Sequence, residues 1–261
     1  MTDAPAHIAA SLASGIGRIT LDRPDRRNAL TPKMLVALAD AAERFAATSD
    51  AGAILLEGQG RSFCAGFDLD LCRDHPDGSM MRSLLTALSD AVRRLRNQPL
   101  PVVINAHGAA IAGGCALLGG ADAVISHPDA KLGYPVTRLG VSPAVTAPFL
   151  LQDLGPGVGR RLLLDPGLIS GEEAHRLGLV SHLAPDADAC RTLADELART
   201  LSGKPRAAAA ETRAWSRALG ASTAGLSDPD AAIERGLSVS LGRTGSEEER
   251  SLLERVWSRG G

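Results

Sequence analysis

The sequence predicts an α/β protein, and three observations carry that prediction. Four short runs, residues 17–21, 53–57, 101–105 and 123–126, are rich in branched aliphatic side chains and read as strands. The longer segments between the first three have apolar residues at helical spacing, so strand and helix alternate. Beyond about residue 186 the strand signals stop and helical patterns fill the chain.

The first helix is announced by Thr31 as N-cap and Pro32 at the first helical position, with Leu35, Leu38, Ala42 and Phe45 on one face. A second is expected over about 79–96, where Leu84, Leu85, Leu88, Val92 and Leu95 give it a broad apolar side. Ser170 with Glu173, and Ser246 with Glu249, have the spacing of capping boxes. After the second cap, Leu252, Leu253, Val256 and Trp257 fit a helix docked by its apolar face. The GPGVGR run at 155–160 lacks the residue order of a phosphate-binding loop and reads as a turn between helices. In GVSPA at 140–144, Ala144 stands where a nucleophile elbow needs glycine. Lys204 and Pro205 mark the expected boundary between a core, 1–203, and a C-terminal helical region, 204–261.

A chain of 261 residues with 44% hydrophobic content can bury one sizeable core. A net charge of -2 and 3% aromatics offer neither the basic footprint nor the stacking platform of a nucleic-acid binder. The start has no basic-then-apolar leader and no run suits a membrane span, so the expectation is a soluble cytoplasmic protein. Cys64, Cys72, Cys115 and Cys190 form no CxxC pair, and neither disulfide nor metal is expected.

Two small-residue bends carry the chemistry. RSFCAGFDL at 61–69 and AIAGGCAL at 110–117 each lead into a helical pattern, so each can aim free backbone N–H groups at one point. Such a pair makes an oxyanion hole, suited to a thioester carbonyl that becomes an enolate or a tetrahedral oxyanion.

These bends stand in an ordered series: RPDRRNAL at 23–30, SFCAGFDL at 62–69, PVVIN at 101–105, the glycine-rich stretch 108–122, LGV at 139–141 and AHRLGLV at 174–180. The series resembles the crotonase superfamily, the enoyl-CoA hydratase/isomerase group, over nearly the whole chain. The resemblance implies a crotonase-like spiral of ββα repeats with a C-terminal helical region, assembly as trimers or hexamers, and acyl-CoA thioesters as ligands. Coenzyme A would then be part of the substrate, and no separate cofactor is implied. It places the oxyanion donors at the N–H groups of Phe67 and Gly113, and CoA contacts at Arg26, Arg27, Ala29, Arg61, Ala65 and Leu69. The bulk of Phe67 departs from the small residue common there and could trim the acyl pocket. Asp122 matches a structural aspartate of the family.

The two glutamates that position water and move protons in hydratases of this group would fall at Ala116 and Val136. Neither side chain carries a proton, and their loss removes acid–base help typically worth ~10²–10⁴ in rate. The candidates to replace them are Asp68, which otherwise caps the next helix, Tyr134, which otherwise packs in the pocket wall, and Arg138, which otherwise pairs at the surface. Ser142 can orient water or start the turn before Pro143. His107 precedes the second bend, and Asp74 and His75 lie in a loop that could close on the site. Three functions follow as expectations: an enzyme working through an oxyanion-stabilised enolate with non-standard acid–base groups, a catalytically inactive acyl-CoA-binding protein or partner subunit, or a hydratase of low efficiency in which Asp68 or Tyr134 activates water.

Overall fold

A computed structural model of the chain describes residues 6–223 and 228–259. In order, its elements are β1 (Ile8–Ala13), β2 (Ile16–Leu21), α1 (Pro32–Ala47), β3 (Ala53–Gly58), α2 (Ser79–Asn97), β4 (Val102–Asn105), β5 (Ala109–Ile111), α3 (Gly113–Leu117), β6 (Ala123–Ser126), β7 (Lys131–Gly133), α4 (Ala147–Leu164), β8 (Ile169–Ser170), α5 (Gly171–Arg176) and β9 (His182–Leu183). Four helices follow: α6 (Ala187–Ser202), α7 (Arg206–Thr223), α8 (Pro229–Leu241) and α9 (Glu247–Arg259).

One sheet has the order β1-β2-β3-β4-β6-β9, antiparallel only at β1–β2, and a second has the order β5-β7-β8. The central parallel strands of the larger sheet, β2, β3, β4 and β6, are buried on both faces, which is why they read as continuous apolar runs. Ile54, Leu56, Val102 and Ile104 join Leu35, Leu38, Leu88 and Val92 of α1 and α2 in the main core. Leu55 and Val103, which alternate with them, pack instead against Cys190, Ala194 and Ala198 of α6.

The local signals act as anticipated. Thr31 accepts from the Met34 N–H, and the Ser170 and Ser246 hydroxyls accept from the N–H groups of Glu173 and Glu249. Gly155, at φ 76°, breaks α4 into two arms just before Pro156. β1 escaped the sequence reading because residues 9–13 are all exposed and show no alternation. The strands of the second sheet are too short to show a period. On α9, Leu253 is buried and Trp257 half-buried, but Val256 is 41% exposed and takes no part in docking, contrary to expectation.

Two arginines seven residues apart tie α7 to the core. The Arg206 guanidinium donates to the carbonyls of Ala46, Thr48 and Ala51 at the end of α1. That of Arg213 donates to Leu95, Arg96 and Gln98 at the end of α2, and to Asp122 at 2.6 Å. Apart from Ala51, which lies in the turn after α1, these are carbonyls that a helix terminus leaves without partners and that carry the negative end of its dipole. Among the described residues no helix is long and apolar enough to cross a membrane.

Candidate active site

The bends of 61–69 and 110–117 are stitched together by backbone. Cys64 N–H donates to Ala109 C=O at 2.9 Å, and Ile111 N–H to Cys64 C=O at 3.0 Å. At Gly114 a Cβ would come within 2.5 Å of the Cys64 carbonyl oxygen, so only glycine lets the second bend approach the first this closely. Gly66, at φ +100°, turns the first bend so that its Cβ position lies 3.7 Å from Gly113 N. Leu30 N–H bonds Gly66 C=O and Asp68 N–H bonds Leu30 C=O, which turns the N–H of Phe67 between them away from that ladder. Ala112, just before Gly113, is held at φ 52°, ψ -114°, a conformation that L residues avoid and that typically costs ~1–3 kcal/mol. Strain of this kind is retained where surrounding bonds over-determine the backbone.

Asn28 holds the first bend in place, a role the sequence reading missed. Its side-chain amide donates to the carbonyls of Gln59, Ser62 and Phe63, while Oδ1 accepts from Arg23 N–H at 2.9 Å. It is fully buried and left-handed at φ 55°, and the exposed Arg27 before it is left-handed too, at φ 51°. Asparagine's tolerance of that conformation was the available signal.

Both bends open on one cavity of about 180 Å³, lined by Ala65, Phe67, Leu69, Gly113, Ala116, Tyr134, Val136 and Ser142 together with apolar residues of α2 and of segment 139–146. The two glutamate-equivalent positions therefore face the same space, and both are apolar. Among the described residues, no carboxylate, imidazole, amine or guanidinium side chain lines it. The polar side chains of its wall are the hydroxyls of Ser142, Thr146 and Tyr134. Ser142 precedes the turn Pro143–Val145 without a side-chain capping bond. The Phe67 ring lies across the start of α3, where a Cβ on Gly113 would meet it at 3.1 Å.

The proposed replacements for the glutamates are otherwise engaged. Tyr134 is buried, its hydroxyl donates to Cys115 C=O at 3.1 Å, and burial pushes its pKa well above the usual value, so it braces α3 as a neutral phenol. Asp68 lies outside the cavity lining, caps the turn Leu69–Cys72 and pairs with Arg23 at 2.6 Å. Arg138 is exposed and off the cavity wall. His107 Nε2 lies 3.1 Å from Gly60 C=O, and burial pulls its pKa down, so it is a neutral structural histidine. Asp74 and His75 are exposed, with His75 Nδ1 3.2 Å from the Ser79 hydroxyl. Cys64 and Cys115 are buried thiols pushed up to about 12 by burial.

Of the residues expected at CoA, Ala65 and Leu69 border the cavity, Ala29 is half-buried next to Leu30, whose N–H bonds Gly66 C=O, and Arg26, Arg27 and Arg61 are exposed. Arg26 Nη1 is 3.1 Å from Asp70. The C-terminal helices close this side: Trp257 Nε1–H donates to Leu69 C=O at 3.2 Å, and Leu253 packs with Met81, Leu84 and Leu85 of α2.

Known proteins share this architecture. A probable enoyl-CoA hydratase of Rhodobacter capsulatus is 32% identical over 251 residues, covering 94% of this chain and 93% of its own. A 1,2-epoxyphenylacetyl-CoA isomerase of Escherichia coli is 29% identical over 202 residues, covering 76% and 77%. The crystal structure of an enoyl-CoA hydratase/isomerase from Xanthobacter autotrophicus Py2 superposes with a TM-score of 0.86 at 26% identity, covering 97% of this chain and 94% of that one. Residues 11–230 match the family model described as enoyl-CoA hydratase/isomerase, and this chain belongs to that family.

Proposed function

We propose that the chain binds a CoA thioester with a compact acyl portion and acts on it through an enolate whose oxygen is held by the N–H groups of Phe67 and Gly113. The carrying observation is the wall itself, in which both bends meet in a cavity free of ionisable side chains other than a neutral phenol. Preorganised N–H donors in such a dry site favour charge that develops only on the reacting carbonyl. The volume of about 180 Å³ is close to the ~150 Å³ of an apolar cavity that holds benzene, so the acyl group is small or ring-sized. Arg26, Arg27 and Arg61 would meet the CoA phosphates, and Ala29, Ala65 and Leu69 the pantetheine and adenine.

Hydration of an enoyl-CoA needs a positioned water and a proton carrier, which Ala116 and Val136 do not provide. An enolate formed without a protein base suits the wall better. Loss of CO2 from a malonyl-type thioester is such a step: the breaking C–C bond leaves its electron pair on the α-carbon, the thioester oxygen takes up the charge between the two N–H donors, and water returns a proton to carbon. A second reading, a non-catalytic acyl-CoA-binding protein or partner subunit, is favoured by the same lack of acid–base groups.

Crotonyl-, 3-enoyl- and malonyl-type CoA esters, assayed for turnover and binding in parallel, separate the readings. Turnover of any of them supports the first, saturable binding of all without turnover supports the second, and no binding overturns both. We also propose a cytoplasmic homotrimer or hexamer, for which exposed apolar side chains such as Leu164 (74%) and Trp215 (66%) offer contact surface. Light scattering that returns a stable 27.0 kDa monomer overturns the assembly.

A further inference from the structure

Thr31, Ser170, Asp186 and Asp228 stand before helices, and each side chain accepts a capping bond from an N–H of the first turn. Ser142, before the turn Pro143–Val145, and Thr146, before α4, hold the same position without such a bond. Among the described residues neither hydroxyl bonds any other group, and both side chains border the cavity into which the two bends open. Thr146 is only 3% exposed, so bulk water does not serve its hydroxyl. The Tyr134 hydroxyl of the same wall is already taken by Cys115 C=O.

The turn that carries the two hydroxyls is fixed in place. Ser240 Oγ–H donates to Ser142 C=O at 2.8 Å, Thr146 N–H donates to Pro143 C=O at 3.0 Å, and α8 lies so close that a Cβ on Gly236 would strike the Ala144 carbonyl. Two free donors on an ordered turn suit an acceptor oxygen of the acyl group, which bonds them with little loss of side-chain freedom. The rest of the wall says which oxygen. Among the described residues no base lines the cavity, so an enolate there has to form without one. A carbonyl carbon at the β-position makes this possible in two forms. A ketone shares the enolate's charge, so that water can take the α-proton; a carboxylate leaves as CO2, its bonding pair stays on the α-carbon, and water returns a proton.

We propose that the site takes thioesters with a second carbonyl on the β-carbon, the thioester oxygen held by the N–H groups of Phe67 and Gly113 and the β-oxygen by the hydroxyls of Ser142 and Thr146. This rests on the reading of the two bends as the thioester site and names the acyl class that site prefers. An acyl chain without a β-oxygen leaves both hydroxyls unbonded in an apolar wall, and that penalty makes Ser142 and Thr146 the specificity-determining residues. Either form, β-keto or malonyl, is compact enough for a cavity of about 180 Å³.

Calorimetry on the full chain tests this, with acetoacetyl-CoA and malonyl-CoA in separate arms. Butyryl-CoA, which has the carbon chain of acetoacetyl-CoA and no β-oxygen, is the reference. Acetoacetyl-CoA, malonyl-CoA or both should bind about thirtyfold tighter than butyryl-CoA, the size of two hydrogen bonds, and the arms tell ketone from carboxylate. Ser142→Ala and Thr146→Val each remove one hydroxyl and little volume. Each should cut the preference about fivefold and leave butyryl-CoA binding unchanged, whereas a merely structural role would weaken all three esters alike. Equal binding of the three esters by the parent overturns the proposal and leaves the thioester site standing. A preference that survives both substitutions also overturns it, since the hydroxyls then face elsewhere, Thr146 toward the larger cavity of about 430 Å³ that it also borders. If none of the three binds, the thioester reading falls and this proposal with it.

Discussion

Nη1 of Arg23 and Oδ2 of Asp68, 45 residues apart in sequence, meet at 2.6 Å with side chains only 17% and 8% exposed. Arg23 Nη1 also bonds Ala29 C=O at 3.2 Å, and Asp68 Oδ1 accepts from Asp70 N–H at 3.3 Å. The pair fastens the 23–30 loop to the residue that follows Phe67, and so fixes the direction of the first candidate oxyanion donor. Asp68 acts on the site by position rather than by taking protons.

Asp68→Ala should therefore destabilise the fold by about 2 kcal/mol, somewhat below the 3–5 typical of breaking a fully buried pair, because Arg23 keeps some access to water. Arg23→Met combined with Asp68→Leu should recover part of that loss, since no charge is stranded. Urea denaturation of the two variants and the parent checks both. A single variant as stable as the parent would remove the brace.

Gly113 is the first residue of α3, where proline costs no intrahelical hydrogen bond, so Gly113→Pro deletes the donor N–H with little other change to the helix. Its new side chain meets Phe67 at about the 3.1 Å found for a Cβ, and Gly113→Ala makes the same contact while keeping the N–H. Relative to the alanine variant, proline should weaken acyl-CoA binding about tenfold and leave free CoA unchanged, the size of one hydrogen bond to a carbonyl. Equal losses for both ligands in calorimetry, with circular dichroism unchanged, count against Gly113 as an oxyanion donor.

Much of this site was legible in the sequence, because its parts are backbone features with strict local requirements. Small residues at Gly66 and Gly114, an N-cap at Thr31 and apolar runs buried on two faces all declare themselves within a few positions. The cap at Asp68 and the wall position of Tyr134 were legible as well, but not the groups that hold them. Their partners, Arg23 and the Cys115 carbonyl, lie 45 and 19 residues away, and nothing local distinguishes a carboxylate held by a guanidinium from one facing a pocket. The clamps of Arg206 and Arg213 on the ends of α1 and α2 span more than a hundred residues and were hidden for the same reason.

Glu249 gives the fold a pH dependence. The residue is 1% exposed, Oε2 accepts from Gly245 N–H, and Oε1 has no hydrogen-bond partner among the described residues. Burial raises its pKa above the usual 4.5, against the opposing pull of Gly245 N–H, Arg82 and Arg243. The folded state thus prefers the protonated acid, a stabilisation present in full below about pH 4.5 and lost as pH rises through the folded-state pKa. Glu249→Gln, neutral throughout, should match the parent in melting temperature near pH 4 and exceed it near pH 8. A difference that does not change with pH would mean that ionisation at this position costs the fold nothing.

Ala116 and Val136 sit in one cavity wall, 3% exposed and half-buried, so carboxylates placed there would face each other across the space where the acyl group is proposed to lie. Hydration must deliver hydroxide to one carbon and a proton to its neighbour, and two carboxylates sharing a water do both. A single glutamate in this apolar wall would be held protonated by burial, able to donate but not to draw a proton from water. With both present the pair titrates in two coupled steps, and one member ionises while the other keeps its proton. Ala116→Glu with Val136→Glu should therefore raise crotonyl-CoA hydration by more than the product of the single effects, toward the ~10²–10⁴ that positioned acid–base groups supply. The crowding at Ala116 sets the risk, since its neighbours on α3, Cys115 and Leu117, are fully buried, and melting temperatures must accompany the rates. If the parent already hydrates crotonyl-CoA at roughly 10 s⁻¹ or faster, a group other than these two positions moves the proton. The hydroxyls of Ser142 and Thr146 would then be the next to replace, as they share the wall with both.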